Sequence, residues 1–118
     1  MLDEAALAKL GIDAGEGMAY CADDPEFYEE MLGEYVREGD ERLAELEKFF
    51  EGGDWPNYAI RAHSAKNTSR MIGARALSER ARELELAAKA GDAEQVAAAH
   101  GAFLADYAAL IEGIRTLC

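Results

Sequence analysis

Basic residues are scarce in this sequence relative to acidic ones. It contains 12 Lys and Arg against 24 Asp and Glu, which gives a formal net charge of −12. Nucleic-acid binding needs a basic face that displaces counterions from phosphates, and anionic membranes attract proteins through basic clusters. We therefore expect no nucleic-acid partner and no membrane contact.

Cysteine and long apolar runs are scarce as well. The two cysteines, Cys21 and Cys118, form no CxxC pair and no metal-ligand spacing, so we expect reduced thiols and no metal site. No apolar run approaches the roughly 20 residues of a membrane-spanning helix, and the acidic start MLDEAALAKL is unlike a signal peptide. These absences predict a cytoplasmic protein, and 118 residues predict one domain over 1–118.

Helical patterning is what the sequence does contain. Half of the residues are hydrophobic, and they recur at intervals of three and four rather than alternating. Asp24 and Asp54 stand before prolines as helix caps, and Asp92, directly after Gly91, is expected to cap the last helix. The glycines after each apolar segment are typical of helix ends. These signals predict long helices over about 24–51, 54–72, 75–90 and 92–117, a short helix near 3–10, and a loop or single irregular turn over 11–23.

The connections between the long predicted helices are short, which favours antiparallel neighbours. We therefore predict an all-α fold, an antiparallel up-down-up-down four-helix bundle with a short N-terminal accessory helix. A monomer is the simplest expectation.

The third long helix carries an unusual histidine. At roughly 100° per residue, His63 lies well outside the arc of the core-facing residues of this helix. Ile60, Asn67 and Arg70 share its outward side. Lys66 lies nearer the boundary, where its ammonium group can reach the imidazole. The core-facing residues are Tyr58, Ala62, Ala65, Ser69 and Ile72.

An exposed imidazole at this place suits phosphoryl transfer. Free imidazole titrates near neutral pH, and its unprotonated form attacks acyl phosphates to give a phosphoramidate. A nearby cation such as Lys66 would offset the added charge of roughly −1.5 to −2. No carboxylate stands three or four residues after His63, so the helix favours a phosphoryl acceptor over a turnover catalyst.

Residues 61–82 form a basic segment in an acidic chain. This segment has six basic residues and one acidic residue, a net +5, while the other residues have six basic and 23 acidic ones, a net −17. Such a segment predicts a surface for an anionic partner, chiefly through Arg61, Arg70 and Arg75. The alternative is an ordinary solvated helix surface.

The segment HSAKNTSRMIGARAL, from His63 to Leu77, closely resembles the signature of histidine-containing phosphotransfer (HPt) domains of bacterial two-component phosphorelays. The signature has the phosphorylated histidine, lysine three residues on, glycine at ten and leucine at fourteen. The stretches GIDAGEGMAYCADDPEFYEEMLGEYV and LSERARELELAAKAGD are also similar to the family, so the resemblance covers nearly the whole chain. Asn67 departs from it, since the family most often has glycine there, and Ala65 replaces a larger aliphatic residue.

The resemblance implies a four-helix bundle whose His63 accepts a phosphoryl group from a receiver-domain aspartate and passes it to another receiver. It implies Lys66 as the supporting cation. Expected partners are response-regulator receiver domains and hybrid histidine kinases, with Mg²⁺ on the receiver and no cofactor of the chain's own. We expect a phosphocarrier without kinase or ATP-binding activity. The candidate partner-binding residues are Ile60, Arg61, Ser64, Asn67, Arg70 and Arg75.

Two other functions remain open from the residues alone. One is a non-catalytic helical adaptor or interaction module in which the histidine is unused. The other is a small metal-dependent hydrolase, which would bind a divalent metal tightly. The second histidine, His100, lies near the apolar side of the last predicted helix, and we expect it to have a packing role at the boundary of the core.

Overall fold

The computed structural model describes residues 3–117, and all regular secondary structure within them is α-helical. The short N-terminal helix and the four long helices are confirmed, each end within one residue of its prediction. In chain order the helices are α1 Glu4–Lys9, α2 Ala14–Ala19, α3 Pro25–Glu51, α4 Trp55–Met71, α5 Arg75–Lys89 and α6 Ala93–Leu117.

The prediction for residues 11–23 is wrong, because α2 is a helix of six residues. The Asp13 carboxylate caps it by accepting the Glu16 backbone N–H at 3.0 Å. A Cβ on Gly17 would lie 2.5 Å from the Tyr28 ring and 2.7 Å from the Ile72 carbonyl oxygen. Glycine, which lowers helix propensity, is therefore used here so that α2 can lie directly against α3 and the end of α4.

Three predicted aspartate caps are confirmed. Asp24, Asp54 and Asp92 accept backbone N–H groups at the starts of α3, α4 and α6, at 3.0, 3.3 and 3.1 Å. Gly73, in the turn between α4 and α5, has a φ of +89°, and its carbonyl accepts the Asp13 N–H at 3.0 Å. This contact ties the N-terminal segment to the turn that follows α4.

The four long helices pack as a bundle, with contacts from α3 to α4, α4 to α5, α5 to α6 and α6 back to α3. On α4 the buried side chains are mostly small, so neighbouring helices approach it closely. The largest fully buried side chains of the bundle include Tyr28, Leu32, Tyr58, Phe103, Tyr107, Ile111 and Ile114. This core leaves the outer faces of α4 and α5 exposed side by side.

Cys21 is buried and is free within the described residues. Cys118 lies outside the described residues. Over residues 3–117, none of the helices is both long enough and apolar enough to cross a membrane.

Candidate functional site

Helix α4 presents His63 on the side opposite its core face. The buried face of α4 contains Tyr58, Ala59, Ala62, Ala65 and Ser69, as the periodicity predicted with Ala59 in addition. The His63 side chain is 50% exposed. The prediction of an exposed histidine on this helix is therefore confirmed.

A carboxylate from the next helix binds this histidine, and the sequence analysis missed it. Glu85 on α5 is buried, with its side chain only 4% exposed, and its Oε2 lies 2.8 Å from His63 Nδ1. The same oxygen lies 3.0 Å from Lys89 Nζ, and Oε1 lies 3.0 Å from Lys66 Nζ. One buried carboxylate thus holds three nitrogen donors from two helices.

The sequence does contain a signal for Glu85. On α5 the core face is marked by Leu84 and Ala88, and Glu85 falls at the edge of that face, on the side of α4. A single acidic residue at such a position needs a cationic partner from the neighbouring helix. Residues three and four positions from His63 lie on α4, so their spacing carries no information about a carboxylate on α5.

The Glu85 carboxylate is ionised at neutral pH. Burial acts to raise its pKa, but hydrogen bonds from Lys89, Lys66 and His63 outweigh burial and lower the pKa to about 2. An ionised carboxylate only accepts hydrogen bonds. The proton of the His63 ring in this contact is therefore on Nδ1.

The other ring nitrogen contacts Asn67, one helical turn along α4. Asn67 Nδ2 lies 3.2 Å from His63 Nε2, and an amide nitrogen only donates. Nε2 is consequently the acceptor and carries the lone pair. Of the two tautomers of a neutral ring, these contacts fit the one with hydrogen on Nδ1 and the lone pair on Nε2.

Lys66 lies where the sequence placed it, near the boundary of the exposed face. Its side chain is only 17% exposed, and its ammonium group pairs with Glu85. The Ser78 hydroxyl donates to the Lys66 backbone carbonyl at 2.8 Å and fixes this part of α4 against α5. The ammonium group was expected to reach the imidazole, but it binds Glu85 instead, so Lys66 and His63 are linked through this common partner.

A groove of about 510 Å³ lies beside His63 between α4 and α5. Its lining is mainly apolar and includes Ile60, whose side chain points outward and is 57% exposed. Ser64, half-buried, also lines it. Two of the predicted partner-binding residues are thus brought together with His63 along one side.

The predicted arginines are distributed differently. Arg61 points toward α3, where its Nε lies 2.7 Å from Glu45 Oε2. Arg75 pairs with Glu16 on α2 at 2.5 Å while staying exposed. Arg70 is exposed on the same face of α4 as His63, and within residues 3–117 it has no ion pair.

His100 is less accessible than the boundary position expected for it. It is 4% exposed, its Nδ1 lies 2.8 Å from the Tyr58 hydroxyl, and its Nε2 lies 3.1 Å from Glu47. Its ring stacks on Phe50 at 3.9 Å between centroids. His100 therefore has a packing role in the bundle, as predicted, and His63 is the histidine that an external reactant can reach.

The fold and the site together define a helical bundle protein with a histidine on the exposed face of one helix. A family model described as Hpt domain matches residues 30–116. The chain belongs to this family, which implies a histidine phosphotransfer role in two-component phosphorelays, and Hpt domains interact with receiver domains and histidine kinases. The comparisons gave no match among curated proteins and none among solved structures.

Proposed function

We propose that this chain is a phosphorelay intermediate in which His63 accepts a phosphoryl group from the aspartyl phosphate of a receiver domain and passes it to another receiver. The observation that carries the proposal is the 2.8 Å contact between His63 Nδ1 and Glu85. This contact orients the ring and leaves Nε2 as the nucleophile on the exposed side of α4.

The step balances without a further reactant. The Nε2 lone pair attacks phosphorus in line, the Nε2–P bond forms, and the P–O bond to the receiver aspartate breaks so that the aspartate leaves as a carboxylate. Nδ1 keeps its proton, and the positive charge that develops on the ring faces Glu85. Stabilisation of the phosphoryl oxygens by Mg²⁺ belongs to the receiver.

The surroundings of His63 support the residue roles in this proposal. Lys66 and Lys89 neutralise Glu85 in the resting state, and we propose Lys66 as the cation that supports the transferred phosphate. The apolar groove with Ile60 and Ser64, together with the exposed Arg70, is the surface that we propose for the receiver. Arg61 and Arg75 would contact it only after giving up part of their pairing with Glu45 and Glu16.

The up-down-up-down order of the bundle is part of the proposal. Between α3 and α4, Tyr35 bonds to Ser69 and Arg61 pairs with Glu45, so the residue numbers run in opposite directions. Each connection between long helices has three residues, too few for the chain to return along the bundle. Both observations favour antiparallel neighbours.

The proposal is tested with receiver domains charged by radiolabelled acetyl phosphate. On mixing, we expect acid-labile, base-stable label on this chain, and we expect His63→Gln to abolish it, because Nε2 is then missing. The chain has two histidines, so His100→Gln is the matched control and should keep the label if it remains folded by circular dichroism. Mapping of the modified peptide by mass spectrometry gives the position independently.

Label that never appears, with a panel of receivers that charge other HPt domains, contradicts the proposal and favours the non-catalytic adaptor. Label on His100, or label that survives His63→Gln, contradicts the assignment of the phosphoacceptor. Tight divalent-metal binding by the isolated chain would favour the hydrolase instead.

A further inference from the structure

Asn67 contacts the ring atom that the proposed reaction uses. Its Nδ2 lies 3.2 Å from His63 Nε2, while Nδ1 lies 2.8 Å from Glu85. Both ring nitrogens therefore have partners in the unphosphorylated protein. The spacing of four residues places the two side chains of α4 next to each other.

We propose that Asn67 caps the nucleophilic lone pair of His63 Nε2 in the resting state and donates the same hydrogen bond to the phosphoryl group once it is bound there. This inference rests on the proposed function. It makes Asn67 a residue that sets both how fast the phosphoryl group is accepted and how long it is kept.

The cap slows acceptance because one lone pair cannot bind an amide hydrogen and attack phosphorus together. The Asn67 amide must move away before the Nε2–P bond forms. A neutral hydrogen bond contributes a factor of roughly three to ten to an equilibrium. Removal of the amide donor should raise the rate of acceptance by about that factor.

The same amide stabilises the product. A phosphoryl group on Nε2 places anionic oxygens in the space next to the ring nitrogen, within reach of an amide that lay 3.2 Å from it. Hydrogen bonds to ionised acceptors are stronger than neutral ones. The Asn67 hydrogen bond is thus stronger after transfer than before, and its loss should speed hydrolysis of the phosphohistidine. In that reaction water attacks phosphorus, the Nε2–P bond breaks and inorganic phosphate leaves.

The first measurement needs no phosphate. In Asn67→Ala the Nε2 nitrogen resonance of neutral His63 should move to higher frequency, because an imidazole nitrogen without a donor is less shielded. The matched control is Asn57→Ala, which removes the other asparagine amide of α4, one that bonds to Asp54 at 2.7 Å away from His63. The control should leave the resonance unchanged.

The second measurement uses phosphoramidate, a small donor that needs no docking surface and releases ammonia when its P–N bond breaks. Phosphohistidine is followed by phosphorus NMR and intact mass. We expect Asn67→Ala to gain the phosphoryl group roughly three- to tenfold faster than the wild type, and to lose it faster by a similar or larger factor. A merely structural role predicts slower acceptance, as for any damaged site.

The outcomes separate the two proposals. An unchanged Nε2 resonance in Asn67→Ala overturns the cap, whatever happens to phosphate. The wild type could be phosphorylated on His63 while Asn67→Ala accepts the phosphoryl group no faster and keeps it just as long. That result overturns the inference and leaves the proposed function standing. A wild type that phosphoramidate never modifies on His63 contradicts the proposed function itself.

Discussion

The Glu85 side chain positions several of the other side chains of the site. Its two oxygens hold His63, Lys66 and Lys89 within 3.0 Å, so it joins α4 to α5 and selects the tautomer of the histidine. Burial of an unpaired carboxylate would cost several kcal/mol, and three donors offset that cost here. The arrangement makes the ring orientation depend on one ionised group.

Substitution of Glu85 by glutamine should lower the free energy of unfolding at pH 7 by about 1–3 kcal/mol, because two lysines and the histidine then lack their common anion. Since folding lowers the Glu85 pKa from 4.5 to about 2, the stabilisation is complete above about pH 4.5 and is lost as pH falls toward 2. The stability difference between wild type and variant should therefore shrink over that range. Urea unfolding at a series of pH values measures it.

The control for this experiment is Glu83→Gln, at an exposed position of the same helix. It should change stability by less than about 0.5 kcal/mol. A Glu85→Gln protein as stable as the wild type at pH 7, or a stability difference that grows on acidification, would contradict the role assigned to the carboxylate.

The helix boundaries and buried faces that the sequence predicted correctly are those set by residues close together in the chain. Asp24, Asp54 and Asp92 cap helices through bonds to residues two or three positions away, and spacing of three and four gives the buried face of α4. Helix α2 has a local cap in Asp13, but it was missed because glycine lowers helix propensity and because Gly17 packs against the distant Tyr28 and Ile72. Spacing along α5 gives the face on which Glu85 lies, but not its partners on α4.

Two helical glycines with ordinary φ angles should respond oppositely to alanine. A Cβ on Gly101 in α6 would meet nothing within 4 Å, whereas one on Gly17 in α2 would press into Tyr28 and the Ile72 carbonyl. Gly101→Ala should stabilise the protein by about 0.5–1 kcal/mol through helix propensity. Gly17→Ala should destabilise it by about 1–3 kcal/mol through overpacking. Thermal unfolding of both variants compares them, and equal effects would show that α2 does not pack as described.

The charge of the whole molecule is distributed less simply than the sequence indicates. The segment 61–82 has a net charge of +5, but Arg61, Arg75 and Arg80 pair with acidic residues of α3, α2 and α6. Within residues 3–117, the arginines of this segment without an ion pair are Arg70 and Arg82. The positive charge of this segment that no ion pair balances therefore lies on these two side chains.

Arg70→Ala should slow association with an acidic receiver surface about two- to fivefold at low salt, because a free cation seven residues from His63 on the same helix face attracts the partner before contact. The effect should fade near 0.5 M salt, where screening shortens the range of the interaction to a few ångströms. Arg80→Ala is the matched control, since it removes the same charge from a residue that faces Asp106 on α6 instead of one on the His63 face of α4, and it should change the rate much less. Stopped-flow measurement of binding to the receiver identified by the labelling experiment gives both rates. If Arg80→Ala slows association as much as Arg70→Ala, attraction arises from total charge and the surface beside His63 has no special part in it.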